Sequence, residues 1–584
     1  MAIYSADLET TTNPNDCRCW AWGVCDITKI SDFKYGNTIE TLIRFMQENS
    51  GTYYFHNLRF DGNFILYYIL THGYRWKYCP GFNDRKRLEP GEFTTMISDQ
   101  GAWYSISIRM LPTETGVSEL VEILDSSKLI PMAVEDIPKT YGLEDSKLTL
   151  DYNEYREPGH ILTPHEIEYL KADVVIVAKA ICFMRENGQV KMTSASNALN
   201  DFRKRWDKKQ YKRMFPPLND INDKDIRASY KGGWTYLNPK YKNQPIGSGS
   251  VYDVNSMYPW AMKNCLLPYG DPVFFTEEYK PNPVYPLYIQ GIVCEFRLKP
   301  NHYPSIQIKN SPSYAENEYL THSILPTVLT LTSVDFELFK ENYDYYIHEY
   351  LGGYMFKAKY GMFDEYIDEW YEVKSNSKKQ GNPGMEKIAK LMLNSLYGKF
   401  GARKKGKYKI PYYDKDKNIV RYKTSEIEED RNGGYLPIAT FITSYCRDKI
   451  IRAANLCGER FVYADTDSVH IIGTEPVEGL DVDNYRLGAF KLESQFVRAT
   501  FIRQKTYLEV YDNDGIEEIN LKCCGMPRKM KDSIEEKDFV EGAVFDSAVN
   551  PKYAPKLMPQ VVPGGVILKE TTFQIKKAKT FDVQ

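Results

Sequence analysis

The stretch Tyr463–Ser468, YADTDS, sets two aspartates two positions apart in a hairpin-like context. Phe461, Val462 and Tyr463 read as one strand and Val469 to Ile472 as its return. A buried unpaired charge costs too much to be there for packing, so these carboxylates are either solvated or bound to something positive. Upstream, DVNSMYP (Asp253 to Pro259) places a third aspartate at the end of another short apolar strand, Val251–Val254. Three carboxylates on strand ends are the groups that hold two divalent cations roughly 3.5–4 Å apart for in-line phosphoryl transfer. Nucleotide polymerisation is the first expectation.

At 584 residues the chain is too long for one core and divides into several domains. The net charge of −3 excludes a protein coated in positive charge, so nucleic acid must be met through local basic surfaces. Two are candidates: Arg203 to Arg213 (RKRWDKKQYKR), with seven basic residues and one acidic, and Lys399 to Lys409 (KFGARKKGKYK), with six basic and none acidic. Taken alone, either reads as a solvated face. The 46 tyrosines suit wet grooves and base stacking as well as plain cores. The 11 cysteines show no CxxC pair and an odd total, which predicts free thiols in a reducing cytoplasm, not zinc or disulfides. The opening MAIYSADLET carries no signal peptide, and no run approaches the roughly 20 apolar residues of a membrane span.

The N-terminal third, to Glu186, alternates strand-like and helix-like segments. Ala2 to Leu8 and Thr52 to Phe55 are expected strands. A helix within Ile161–Glu186 has a readable start: Thr163 as N-cap, Pro164 first, and Glu166 completing a capping box. A turn-rich charged stretch, Arg203 to Asp225, follows. Pro268–Gly361 reads as an insertion of irregular strands, and Ala402–Gly434 as a hairpin insertion. Between them a helix runs from about Met385 to Tyr397, stopped by Gly398. On it Lys390, Asn394 and Tyr397 form one polar stripe; a lysine there can meet triphosphate oxygens and a tyrosine can pack on a base pair.

A second set of acids lies in the N-terminal third. Asp7 and Glu9 share a strand face, Asp61 follows a strand in FHNLRFDG, and Tyr169 and Asp173 share a helix face. Singly these read as surface residues. Together, in this order and on these elements, they fit a two-metal nuclease in which the acids hold the ions and the tyrosine orients a water. Their spacing is similar to that of DEDD exonucleases of the tyrosine subtype.

DVNSMYP, KLMLNSLYG and YADTDS resemble motifs A, B and C of family B DNA polymerases. YKGG (Tyr230 to Gly233) and KTY (Lys505 to Tyr507) resemble two further motifs in the form used by the protein-primed branch. The resemblance covers nearly the whole chain, including LLPYG (Leu266 to Gly270), IQIK (Ile306 to Lys309), RQKTY (Arg503 to Tyr507) and VPGG (Val562 to Gly565). It implies a mixed α/β (α+β) multidomain fold: an RNase H-like 3′–5′ exonuclease at 1–186, palm at 187–265 and 435–531, insertions at 266–362 and 402–434, fingers at 363–401, and thumb with tail at 532–584.

The same resemblance implies residue roles. Asp253, Asp467 and the carbonyl of Val254 would ligate the catalytic metals, with Asp465 close by. Tyr258 would be the steric gate beneath the sugar. Tyr397 would flank the nascent pair, Asn394 would be a further nucleotide contact, and Lys390 and Lys374 would contact the triphosphate. Lys505 and Tyr507 would hold the primer strand, and Tyr230, Gly232 and Gly233 the template. In the exonuclease, Asp7, Glu9, Asp61 and Asp173 would be ligands, Tyr169 the water-orienting group and Lys147 a catalytic lysine. His56, Asn57 and Phe64 would contact single-stranded DNA. One departure is visible: a second lysine of the family helix is here Glu386, beside Lys387. Implied cofactors are two Mg2+ ions per site, with Mn2+ an alternative. Implied partners are primer–template DNA, dNTPs, a terminal protein primer and a phage single-stranded DNA-binding protein. The resemblance further implies a monomer in the cytoplasm of an infected bacterium, with no membrane partner. The alternatives are a DNA-primed repair polymerase of the same family and a decayed, non-catalytic DNA-binding scaffold. The insertions argue against the first and the intact acids against the second. A stand-alone nuclease would leave most of the chain unexplained.

Overall fold

The computed structural model of the protein describes residues 2–577 apart from 80, 153, 309–317 and 432. Lys309 of the IQIK segment and the tail beyond residue 577 therefore lie outside the described residues.

The N-terminal unit is built on eight strands: β1 (Ala2–Thr10), β2 (Cys19–Asp26), β3 (Phe33–Gly36), β4 (Gly51–Phe55), β5 (Arg75–Trp76), β6 (Glu92–Ile97), β7 (Trp103–Arg109) and β8 (Leu120–Asp125). They form one sheet in the order β3-β2-β1-β4-β8-β7-β6-β5, parallel at β1–β4, β4–β8 and β5–β6. Helix α1 (Asp61–Thr71) follows β4, and α2 (Pro164–Glu186) packs on β1 and β2. The cap of α2 is as its sequence indicates. The Thr163 hydroxyl accepts from the Glu166 N–H, and the Glu166 carboxylate accepts from the Thr163 N–H.

The stretch 203–225 is not a turn-rich linker. Helices α3 (Ser194–Lys204), α4 (Lys208–Met214) and α5 (Asp220–Arg227) occupy it, capped by Thr193, Asp207 and Asn219. Each of these short polar residues accepts from a helix N–H, although such residues also form turns. Next come β9 (Thr235–Leu237) and β10 (Gly249–Val254).

The region 268–361 is also more regular than expected. Strands β11 (Leu267–Phe275), β12 (Leu287–Leu298), β13 (Thr327–Thr332) and β14 (Tyr343–Lys359) pair antiparallel in the order β11-β14-β12-β13. Helix α6 (Asp364–Lys379) leads into α7 (Pro383–Phe400). Helix α7 begins two residues before Met385, with Asn382 as its cap, and passes through Gly398 to end at Gly401. A glycine costs a helix interior only about 1 kcal/mol, which the burial of Leu396 and Phe400 on either side offsets.

The second insertion is a hairpin, β15 (Lys409–Asp414) and β16 (Ile419–Thr424), with Lys405–Gly406 and Glu429–Asp430 pairing at its root. Its far end rests on the N-terminal unit. The Tyr422 hydroxyl donates to Asn63 (2.7 Å), and the Tyr67 hydroxyl to Asn418 (2.7 Å).

Helix α8 (Leu436–Cys457) is buried along most of its length. It underlies a five-stranded sheet that also contains β17 (Phe461–Asp465), β18 (Ser468–Ile472) and β19 (Phe490–Phe496), in the order β19-β10-β18-β17-β9. Residues 498–523, expected within the palm, form a separate sheet: β20 (Arg498–Arg503), β21 (Thr506–Asn513) and β22 (Ile516–Cys523), with Pro245–Ile246 at its edge. The described C-terminal residues add a hairpin, β23 (Lys556–Val562) and β24 (Gly565–Thr571), turning at Pro563–Gly564 and packed on α1 and β16. All cysteines are free thiols. Among the described residues no helix is long and apolar enough to cross a membrane.

Candidate active sites

The pairing of β10 with β18 brings two distant motifs together. Asp253 lies opposite Ser468, and the Val254 N–H donates to the Asp467 carbonyl (2.8 Å). Thr466 takes a left-handed conformation (φ +69°), so the chain reverses within Asp465–Asp467. Asp253 and Asp467 thus face one side of the sheet. Burial and Asp467 push the Asp253 carboxyl up to about 7, and burial with Asp465 and Glu493 pushes Asp467 up to about 6. Two half-buried acids with mutually unfavourable charge suit a cation, which would relieve both penalties. Asp465 is differently placed: its Oδ1 accepts from Lys505 Nζ (2.8 Å) and from the hydroxyls of Thr235 and Thr466. Of the two YADTDS aspartates, Asp467 is the one left open.

Above these acids the Tyr258 and Tyr397 rings stack face to face, 4.1 Å between centroids and 4° from parallel. Lys374 donates to the Ser256 hydroxyl (3.0 Å); burial and the nearby Lys390 depress its pKa. Lys390 pairs with Glu386 one turn earlier (2.6 Å), so the residue that departs from the family pattern neutralises the expected phosphate ligand. Asn394 is exposed on the same face.

The YKGG segment packs directly on the motif C turn. A Cβ on Gly233 would stand 2.7 Å from the Thr466 methyl, whereas Gly232 faces open space. Tyr230 lies against Gly401 at the end of α7. The carbonyls of Lys231 and Gly232 accept from Arg447 of α8 (2.9 Å each), and Arg447 is itself held by Asp335 at 2.7–3.2 Å. Burial opposes the Asp335 charge, but Arg447 outweighs it and keeps that carboxyl below the usual range. Motif reading missed this pair because its members lie more than a hundred residues apart. Arg447→Met is expected to destabilise the fold by about 3–5 kcal/mol by stranding a buried carboxylate. Asp335→Leu with Arg447→Met should recover much of that loss in a thermal melt.

Lys505, also left-handed (φ +57°), gives its N–H to the Tyr463 hydroxyl (2.9 Å), and Tyr507 is buried with its ring stacked on Phe501. Beneath them His470 and Glu509 form a buried pair at 2.7 Å.

In the N-terminal unit, Asp7, Glu9 and Asp173 bring their ligand atoms within 4.8 Å of one another. Gly23, opposite Asp7 on β2, permits this: a Cβ there would stand 2.8 Å from Leu170, so only glycine lets α2 approach so closely. Burial and Asp173 raise Asp7 to about 7, and burial and Asp7 hold Glu9 well above the usual carboxylate range. One Asp173 oxygen pairs with Lys147 (2.9 Å), while the other is buried and makes no hydrogen bond among the described residues. That orphaned acceptor, beside two carboxylates, fits a divalent cation. Asp61 lies beside the trio, and burial and the Asp7 charge hold its carboxyl well above the usual range. It opens α1 and accepts from the Leu8 N–H (3.3 Å). The Tyr169 hydroxyl shares a hydrogen bond with Tyr152 (2.6 Å), a residue that no motif marked.

Two expected DNA contacts are differently engaged. Phe64 is 2% exposed, under Gly565 of the C-terminal hairpin, because α1 turns it toward an apolar cover. His56 has both ring nitrogens bonded within the protein, to Ser126 and the Met132 carbonyl. Asn57 remains exposed, in a left-handed conformation.

Residues 42–483 match the family model of DNA polymerase type B, organellar and viral. The chain belongs to this family and is a DNA-directed DNA polymerase. It is 39% identical to the DNA polymerase of Bacillus phage Nf and 38% identical to that of Bacillus phage phi29, each over 98% of this chain and 99% of the relative. The DNA polymerase of Streptococcus phage Cp-1 is 31% identical over 98% of both chains. In structure it is similar to the phi29 DNA polymerase complexed with primer–template DNA and incoming nucleotide, with a TM-score of 0.90 and 37% identity over 98% of this chain and 100% of that one.

Proposed function

We propose that the protein is a protein-primed, strand-displacing replicative polymerase with a proofreading 3′–5′ exonuclease, using two divalent cations, Mg2+ or Mn2+, at each site. The observation that carries this reading is the presence of two separate carboxylate sites, Asp253/Asp467 in the central sheet and Asp7/Glu9/Asp173 on β1 and α2. Asp253, Asp467 and the Val254 carbonyl would hold the cations in the first, and Asp7, Glu9 and Asp173 in the second, with Asp61 supporting β1. Bound there, such ions lower the pKa of a hydroxyl or water and neutralise phosphate charge. The primer 3′-hydroxyl displaces pyrophosphate at the α-phosphorus of a dNTP. Lys374 and Lys390 meet the departing phosphates, Lys390 once freed from Glu386. Lys505, paired with Asp465, would meet a primer phosphate. In the exonuclease, Lys147 and the Tyr169–Tyr152 pair position water and phosphate. The priming hydroxyl would come from Ser, Thr or Tyr of a terminal protein seated near the two insertions. A single-stranded DNA-binding protein would coat displaced DNA, and the enzyme would act as a monomer in the infected host.

Strand displacement is supported by a cavity of about 550 Å3 where the second insertion meets α3 and the end of α7. Lys191, Arg203, Lys399, Arg403 and Arg431 line it, a basic throat suited to one template strand. Of the lysines expected to meet DNA there, Lys404 and Lys405 instead pair with Asp220 (2.8 and 2.7 Å) and pin the insertion root to α5.

Primer extension with and without Mg2+, and with a candidate terminal protein in place of a DNA primer, tests the proposal. Synthesis in EDTA, or no deoxynucleotidylation of any phage-type terminal protein, would overturn the corresponding part. Tyr258 offers a sharper test, because its ring occupies the place of a ribose 2′-hydroxyl in this reading. Tyr258→Val should lower discrimination against ribonucleotides by about a hundredfold, the scale on which a tight pocket separates ligands differing by one hydroxyl. An unchanged ratio of incorporation efficiencies would remove Tyr258 from the gate.

A further inference from the structure

The basic run Arg203–Arg213 takes no part in either carboxylate site. It forms the wall of a second cavity of about 550 Å3, which shares Arg203 and Arg431 with the basic throat. The floor is aromatic: Trp206, half-buried, meets Phe215 edge-on at 5.6 Å, and Tyr211 lies under the Arg203 guanidinium at 5.1 Å. The rim is cationic. Lys208 and Lys212 sit one turn apart on α4, both exposed, and neither they nor Arg203 has a carboxylate partner among the described residues. The carboxylate on the wall, Asp223, is already bidentate with Arg227 (2.9 and 3.0 Å). Lys404, also on the wall, is paired with Asp220.

An aromatic floor with the half-buried Trp206 ring in it, beneath uncompensated cations, recognises a ligand with a planar ring and an anionic group at a short distance. A nucleotide has both, whereas a simple anion would leave the rings in water. A free nucleotide and a nucleotide of a strand share this chemistry, and the location favours the strand. The cavity adjoins the throat through Arg203 and Arg431, so a strand parted from the template at that throat would pass over it. Lys208 and Lys212 lie in a row along the helix, as a phosphate backbone requires.

We propose that this cavity seats a nucleotide of the displaced strand, its base on Trp206 and its phosphates on Lys208, Lys212 and Arg203. The throat would then hold the template and this cavity the other strand, with Arg203 and Arg431 between them. The proposal rests on the strand-displacement reading above, and the test keeps the two separable.

The experiment compares binding of the full-length protein to a primer–template with a downstream duplex, with and without a single-stranded oligothymidine 5′ flap on the non-template strand, by fluorescence anisotropy in EDTA. The flap should tighten binding by the parent. Trp206→Ala and, separately, Lys208→Ala with Lys212→Ala should each lose that increment, about tenfold for one stacked base. Binding without the flap and single-nucleotide addition should be unchanged. The lysine pair is solvent-exposed, so the test survives if Trp206→Ala disturbs folding. In the parallel arm dTMP is titrated as competitor. A flap that adds no affinity to the parent, or an increment retained by both variants, overturns the proposal; dTMP binding without any flap effect makes the cavity a mononucleotide site and overturns the strand assignment. Failure of the parent to extend a primer through the downstream duplex would instead refute the strand-displacement reading, leaving the flap comparison intact.

Discussion

Asp467→Ala is expected to cut nucleotide addition by at least about a hundredfold, since even an outer-shell partner of a metal ligand is worth about 10–100-fold. Degradation of single-stranded DNA should continue at the parental rate. Asp7→Ala with Glu9→Ala should give the opposite pattern. The two centres are expected to act independently, because each draws its perturbed acidity from its own burial and neighbours: Asp467 from burial, Asp465 and Glu493, Glu9 from burial, Asp7 and Asp173. The N-terminal double variant carries a second signature. The folded-state pKa of Asp7 is raised to about 7, whereas an unfolded aspartate titrates near about 4. Between those values the folded protein binds more protons than the unfolded chain, so its stability falls as pH rises. In EDTA the melting temperature of the double variant, relative to the parent, should therefore climb from about pH 4 to about pH 7. Wild-type degradation by the double variant, or a flat difference in melting temperature, would refute this assignment.

Deletion of residues 404–432, with the flanks joined, is expected to preserve addition of single nucleotides and to abolish long products and strand displacement. No catalytic carboxylate lies within the segment. What is lost is a bridge: the hairpin runs from its root at Asp220 to α1, through Tyr422–Asn63 and Tyr67–Asn418, and touches the C-terminal hairpin at β23. The throat lined by Arg403 and Arg431 also loses one side. Binding through several phosphate contacts falls steeply with salt, so parental processivity should itself decline as salt rises. The measurement is rolling-circle synthesis on a primed circle with a trap for released enzyme. Products of parental length from the deletion variant would sink this account of the insertion while leaving the polymerase assignment standing.

Local signals in the sequence were readable where one residue type has one reason to be present. The Thr163–Glu166 cap, the Phe461–Ile472 hairpin and the Ala402–Gly434 excursion all fall within a turn or two of the residues that mark them. The same habit misled at Arg203–Asp225, where Asp207 and Asn219 are helix caps although such residues also make turns. It misled again at Gly398, which packing carries through the middle of a helix. In the carboxylate sites the acids themselves were legible, because charges on strand ends are hard to explain otherwise. Their supports were not. Tyr152, Glu493, and the Asp335–Arg447 pair that grips the YKGG carbonyls act across the fold, and no spacing along the chain records them. Nor could spacing show that Phe64 would be covered or that Lys404 would be claimed by Asp220.

The seating of the C-terminal hairpin on α1 sets a timetable for biosynthesis. Val562, Val566 and Ile567 share one apolar core with Leu58, Phe64 and Val420, and the Cys17 thiol donates to the Val566 carbonyl 549 positions later. Contacts of such sequence separation form late in folding. The helix that carries Asp61 must therefore leave the ribosome with an apolar flank bare, and keep it bare until nearly the whole chain has been translated. During that interval the nascent protein is a client for chaperones and a seed for aggregation. A chain terminated before Lys556 would contain every carboxylate of both centres and still present that flank to water, so premature termination near the end would be cleared by quality control rather than yield a shortened enzyme.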